Sequence, residues 1–223
     1  MSNSLEATPF RRGPGGRPTR EEAERRHREL LETTKRLLLE RGWEATSIDE
    51  ISRQSGVAKR FLYARYPDKT ALFIAAVAQF RDEQIGALGA LDAPPGDVEE
   101  GLLWLARQMF DLAMREETLA IIRLFLAEAP RLRDFARLFA ESFPRRGLTG
   151  IARFLSVYAE RGVLRFDDPQ FAAEHFVMLV IGVPQRLAML GYRDKPEQEE
   201  RRLRSAVGMF LDGSRARREA GDL

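Results

Sequence analysis

Lys59, Arg60, Tyr63 and Arg65 fall within one short run of the chain, and their chemistry points to a polyanion. An arginine guanidinium can donate two parallel hydrogen bonds to guanine O6 and N7, while lysine and tyrosine reach phosphate oxygens. Two readings fit this run: a helix that reads duplex DNA, or an ordinary helix pair with a solvated basic face. Elsewhere the residue types that do chemistry are sparse. The chain has no cysteine, which excludes disulfides, thiolate metal sites and cysteine nucleophiles. Its two histidines, His27 and His175, lie far apart. His27 sits in a polar, arginine-rich stretch and reads as solvated; His175, among Phe171, Phe176 and Met178, reads as a core histidine. No phosphate loop, Gly-x-Ser-x-Gly elbow or His-Glu-x-x-His pair is present. The expectation is a protein without catalysis, metal or cofactor.

The elements that must position the basic run are helical. The 223 residues are 44% hydrophobic and 31% charged, enough for one large domain, or a small one joined to a larger. Basic and acidic residues nearly balance at 36 and 34, yet residues 1–70 carry 15 basic against 11 acidic and the remainder 21 against 23. A basic head on a slightly acidic body results. Residues 1–18, rich in glycine, proline and arginine, read as a flexible basic arm, and no apolar segment there suggests a secretory signal. From Thr19 a first helix carries Leu30, Thr34, Leu37 and Leu38 at near-helical spacing and ends at Gly42. Ser47 and Glu50 form a capping box for a short second helix that Gly56 stops. A third runs to Tyr66 and Pro67, and Asp68 caps a fourth that reaches about Leu91. Proline and glycine then punctuate helices at about 97–115, 117–128, 131–161 (one or two), 169–190 with a kink at Pro184, and 196–213. No strand pairing is signalled, so the chain reads as all-α. No apolar run approaches the roughly 18 residues of a membrane span, and a cytoplasmic protein is expected.

The pair of short helices over 46–66, with Ile48, Ile51, Val57 and Leu62 to fill their crossing, has the spacing of a helix-turn-helix. The run Thr46-Ser47-Ile48-Asp49-Glu50-Ile51, then Ser55-Gly56-Val57-Ala58-Lys59-Arg60-Phe61-Leu62-Tyr63 and Tyr66-Pro67-Asp68-Lys69-Thr70-Ala71-Leu72, resembles the DNA-binding domain of the tetracycline-repressor (TetR) family. The likeness covers about residues 20–75, and its Leu-Tyr-x-x-Tyr/Phe-Pro-x-Lys core is specific. It implies a helix-turn-helix domain over 19–68 and a larger helical ligand-binding and dimerisation domain over 69–223. Thr46, Tyr63 and Lys69 match phosphate-contacting positions, and Lys59 and Arg60 positions that touch bases; Ser47, Phe61 and Arg65 complete the expected DNA-binding set. Ala58 and Phe61 depart from the family pattern, the first where a capping serine is common. Gly16-Arg17-Pro18 resembles a minor-groove hook, which would add Arg17 to the DNA contacts; a disordered tail is the alternative.

The resemblance also implies a homodimer on an inverted-repeat operator and a pocket for a small apolar or amphipathic effector that releases a repressor from DNA. In this chain the last two helices would form the dimer through Leu179, Gly182, Leu203, Val207, Phe210 and Leu211; packing within one chain is the alternative. Trp104, Met109, Phe125, Phe154, His175 and Met178 are the candidate pocket residues. A small-molecule-binding helical protein whose DNA head is non-specific or lost is the competing function.

Overall fold

The computed structural model describes residues 19–87, 97–129 and 144–215. The arm with Arg17, the stretch from residue 88 to Gly96, the 131–143 part of the expected helical region and the end of the chain from residue 216 lie outside the described residues. Nine helices occur among the described residues: α1 Arg20–Ala45, α2 Ile48–Ser55, α3 Lys59–Arg65, α4 Lys69–Ala87, α5 Val98–Ala113, α6 Glu116–Glu128, α7 Pro144–Glu160, α8 Pro169–Met189 and α9 Pro196–Ser214. No strand occurs among them; one isolated antiparallel bridge joins Leu164 to Arg215. No helix of the described residues is long and apolar enough to cross a membrane.

Local chemistry explains most of the boundaries. Thr19 caps α1 in a full box with Glu22: its hydroxyl accepts from the Glu22 amide and its own amide donates to the Glu22 carboxylate. The regular α1 conformation breaks where expected, at Gly42, whose φ of 78° lies in the left-handed region. Ser47 accepts from the Glu50 amide, but the reciprocal half of the expected box is not made, because the Glu50 carboxylate is held by other side chains. Gly56, with φ 69°, closes α2. Ala58 gives α3 no side-chain cap, whereas Asp68 accepts from the Ala71 amide at the start of α4. Asp97 and Asp168 cap α5 and α8 in the same way. The α8 helix runs through Pro184 without interruption.

Three apolar clusters hold these helices. Leu30, Leu31, Leu37, Ile51, Leu62, Tyr66 and Leu72 join α1–α4 into a head. Each fully buried aliphatic chain there contributes about 1.5–3 kcal/mol. A second cluster, Leu38, Phe73, Val77, Phe80, Ile121 and Phe125, seats α6 against α1 and α4. The third and largest fills the body between α5, α7, α8 and α9 around Leu102, Leu105, Phe154, Tyr158, Phe176 and Val180. The α4 helix is shared: Leu72 and Ala76 belong to the head, while Phe73, Val77 and Phe80 face the body.

Candidate nucleic-acid interface

The α2–α3 turn sets the geometry of the basic run. Leu62 is buried, and Tyr66, one turn later, is buried just beyond the helix end. With inward positions fixed by that i, i+4 pair, the other residues of α3 must face out. Lys59, Arg60, Phe61, Tyr63, Ala64 and Arg65 are all exposed, Phe61 at 58% and Tyr63 at 56%. The Ser52 hydroxyl donates to the Val57 carbonyl and fixes the turn. Lys59 Nζ lies 2.6 Å from an Asp49 carboxylate oxygen, tying the first residue of α3 to α2. The Arg60 guanidinium carbon stands 4.9 Å from the Phe61 ring centroid. Ser47, at the entrance to α2, is also exposed.

A carboxylate organises the supporting side. Glu50 receives Arg53 at 2.6 Å, Gln54 at 2.6 Å and Arg41 at 3.2 Å. Hydrogen bonds from Arg53 and then Gln54 pull its pKa down to about 2. It therefore stays ionised and locks α2 to the end of α1.

Two residues expected at phosphates are turned inward. Thr46 is buried, and its hydroxyl donates to the Leu37 and Gly42 carbonyls. Lys69 Nζ donates to the carbonyls of Trp43, at 2.5 Å, and Thr46, at 2.9 Å, and sits 4.3 Å from the Trp43 ring centroid. Burial lowers its pKa. The ammonium thus binds carbonyls at the end of α1, sharing that of Trp43 with the Thr46 amide. His27 is not solvated as expected: its Nε2 is 2.5 Å from the Tyr66 hydroxyl, joining α1 to the end of α3. Burial first, and the Arg65 charge second, hold the His27 pKa below its ordinary value.

The expected pocket residues do not converge. Trp104 stacks on Phe154 with ring centroids 6.2 Å apart, and Met109 shares their cluster. Phe125 belongs to the head–body junction, 5.0 Å from Phe73. His175 and Met178 are exposed on α8, which corrects the reading of His175 as a core residue. The apolar neighbours of His175 in sequence suggest a core position, but of these only Phe176 turns inward, against Phe210, while Phe171 and Met178 share the exposed face of His175. Of the expected dimer residues, Leu203, Val207, Phe210 and Leu211 are buried in the body of the same chain, and Leu179 and Gly182 are half-buried. The exposed apolar side chains of α8 and α9 are instead Phe171, Met178, Val183 and Met209.

Contacts that sequence reasoning missed tie α6 to its surroundings. Lys35 of α1 meets Glu117, and Arg123 donates to the Ala188 and Met189 carbonyls at the end of α8. Acceptors so far along the chain leave no local signal. Among the described residues, no group of three or more histidine, cysteine, aspartate or glutamate side chains could hold a metal ion.

Comparison with known proteins places this geometry. The profile described as bacterial regulatory proteins, tetR family, matches residues 30–76, and that of the AefR-like transcriptional repressor C-terminal domain matches residues 100–213. The uncharacterized HTH-type transcriptional regulator YvkB of Bacillus subtilis (strain 168) is 22% identical over 188 residues, covering 84% of this chain and 96% of that protein. A solved structure assigned to the TetR family, from Mesorhizobium loti, superposes with a TM-score of 0.76 at 27% identity over 89% of this chain and all of the other. The flavonoid-responsive regulator FrrA is 32% identical, with a TM-score of 0.68, over 87% of this chain and all of its own.

Proposed function

The chain belongs to the TetR family of bacterial transcriptional regulators, and from that premise we propose that it is a ligand-responsive repressor. As a homodimer it holds an inverted-repeat operator, and it lets go when a small amphipathic molecule enters the helical body. The observation that carries this reading is the outer face of α3, where Lys59, Arg60, Phe61, Tyr63 and Arg65 stand exposed on a head whose inward positions are filled. Arg60 takes a guanine edge, Tyr63 and Arg65 take phosphates, and Ser47 adds a hydroxyl at the edge of the surface. Thr46 and Lys69 act from behind, by holding the α1–α2 turn that aims the helix. Residues 19–68 serve as the reading head and the chain from 69 onward as the body.

The second half-site needs a second copy, since one short helix binds weakly and linkage multiplies affinity. Phe171, Met178 and Met209 on α8 and α9 supply the apolar face for that pairing. The effector side is the Trp104–Phe154 stack, where the body core reaches a half-buried aromatic edge. The likeness to a flavonoid-responsive regulator favours a planar aromatic effector of that class. Release follows if the effector prefers a body whose α4 holds the two heads at the wrong spacing. Contact of Phe73 with Phe125 gives α4 a handle on the body.

Selection of sites from a random duplex pool at physiological salt tests the reading. An enriched inverted repeat, released by a planar flavonoid, supports it. A folded dimer that enriches no sequence overturns it.

A further inference from the structure

Phe61 is a phenylalanine that the head does not use. Leu62 and Tyr66 already fill the inward side of α3, and the Phe61 ring is left 58% exposed. At about 100° of turn per residue, Arg60 and Ala64 point directly away from the core, and Phe61 flanks Ala64 on one side. The small Ala64 side chain leaves the ring unshielded there. The Arg60 guanidinium lies 4.9 Å from the ring centroid, a cation–π distance that sets the apolar surface beside the charge. Whatever Arg60 reads, the ring is next to it.

The major groove is polar almost throughout. Its floor presents carbonyl, ring-nitrogen and amino groups, and its walls are phosphates. The one apolar group it offers to an aromatic ring is the 5-methyl of thymine. We propose that Phe61 reads a thymine methyl adjacent to the guanine taken by Arg60, so that each half-site is specified by a thymine–guanine neighbour pair. The proposal rests on the DNA-reading function above and adds the base that its aromatic residue selects.

The test uses the duplex recovered by site selection and the full-length protein. Each thymine of one half-site, together with its symmetry mate, is replaced by deoxyuridine, which keeps base pairing and removes only the methyl. The parent protein loses affinity at one symmetric pair by roughly fourfold per half-site, the effect of one methyl group leaving an apolar contact. Phe61→Ala binds the unmodified site more weakly but is indifferent to the same replacement, and Phe61→Leu retains part of the sensitivity. A deoxyuridine scan without effect on the parent at any position overturns the proposal. So does a replacement that costs Phe61→Ala as much as the parent, since another side chain then holds the methyl. The parent scan alone decides if a variant misfolds. A selection that yields no site is a separate result, and it overturns the regulator reading itself.

Discussion

Lys35 on α1 and Glu117 on α6 meet with Nζ 2.6 Å from the carboxylate, so a buried lysine of the reading head is neutralised by the body. The Lys35 side chain is only 6% exposed, also pairs with Glu32 at 2.9 Å, and lies 4.6 Å from the Phe80 ring centroid. Burial works against its charge, but the hydrogen bonds it donates to Glu117 and Glu32 outweigh that, and its pKa is raised. The stabilisation is therefore intact at neutral pH and lost only as pH rises through that raised value.

The two ends of this pair should respond unequally. Glu117→Gln leaves an ammonium buried with one carboxylate and is expected to cost about 1–3 kcal/mol. Lys35→Met removes the buried charge, keeps the contact with Phe80, and leaves Glu117 free to turn to solvent; its cost is expected to be about 1 kcal/mol or less. Urea denaturation of the two variants measures the order. If Lys35→Met were the more damaging, the pair would not be holding a buried charge.

Glu50 gives the head an acid limit. Its pKa, pulled to about 2 chiefly by Arg53, lies below the usual value of 4.5, so its contribution is present above that value and is lost as pH falls towards 2. Glu50→Gln should flatten the fall in melting temperature across that window. An unchanged profile would assign the acid sensitivity elsewhere.

Lys69 separates support from contact. With its ammonium on the Trp43 and Thr46 carbonyls, Lys69→Ala is expected to lower stability by about 1–3 kcal/mol and to leave the salt dependence of DNA binding unchanged. Arg65→Ala, on the exposed face, should do the reverse, reducing the slope of log K against log salt by roughly one. A loss of slope in Lys69→Ala at full stability would restore it as a phosphate contact.

How much was legible follows from where each signal resides. The head was readable because its cues are local: Thr19 and Ser47 cap, Gly42 and Gly56 break, and Ile51 with Leu62 must turn inward to make so short a unit pack. The body was readable as helices but not as faces. Leu203, Val207, Phe210 and Leu211 form a stripe that looks alike whether it meets a second chain or its own core, and only the neighbours α5 and α8 decide for the core. Phe125 illustrates the same limit: its partner Phe73 lies on another helix, so no local pattern could assign it to the junction rather than to a pocket. The inward turn of Lys69 depends on carbonyls 26 and 23 residues earlier.

The exchange of faces on α8 and α9 yields its own test. Met178→Glu and Met209→Glu, at positions 53% and 63% exposed, should shift the protein towards monomer in sedimentation with little change in the monomer's fold. Leu203→Ala should instead cost about 2–5 kcal/mol of stability. Full dimerisation of the double glutamate variant would move the interface to another surface.

If the outer face of α3 reads sequence, Arg60→Ala must show it. Affinity is measured for the selected duplex and for a random duplex, at several salt concentrations. The variant is expected to lose discrimination by about 1–3 kcal/mol per half-site while binding random duplex nearly as well as the parent. A variant that keeps the parent's ratio of specific to random binding would contradict it.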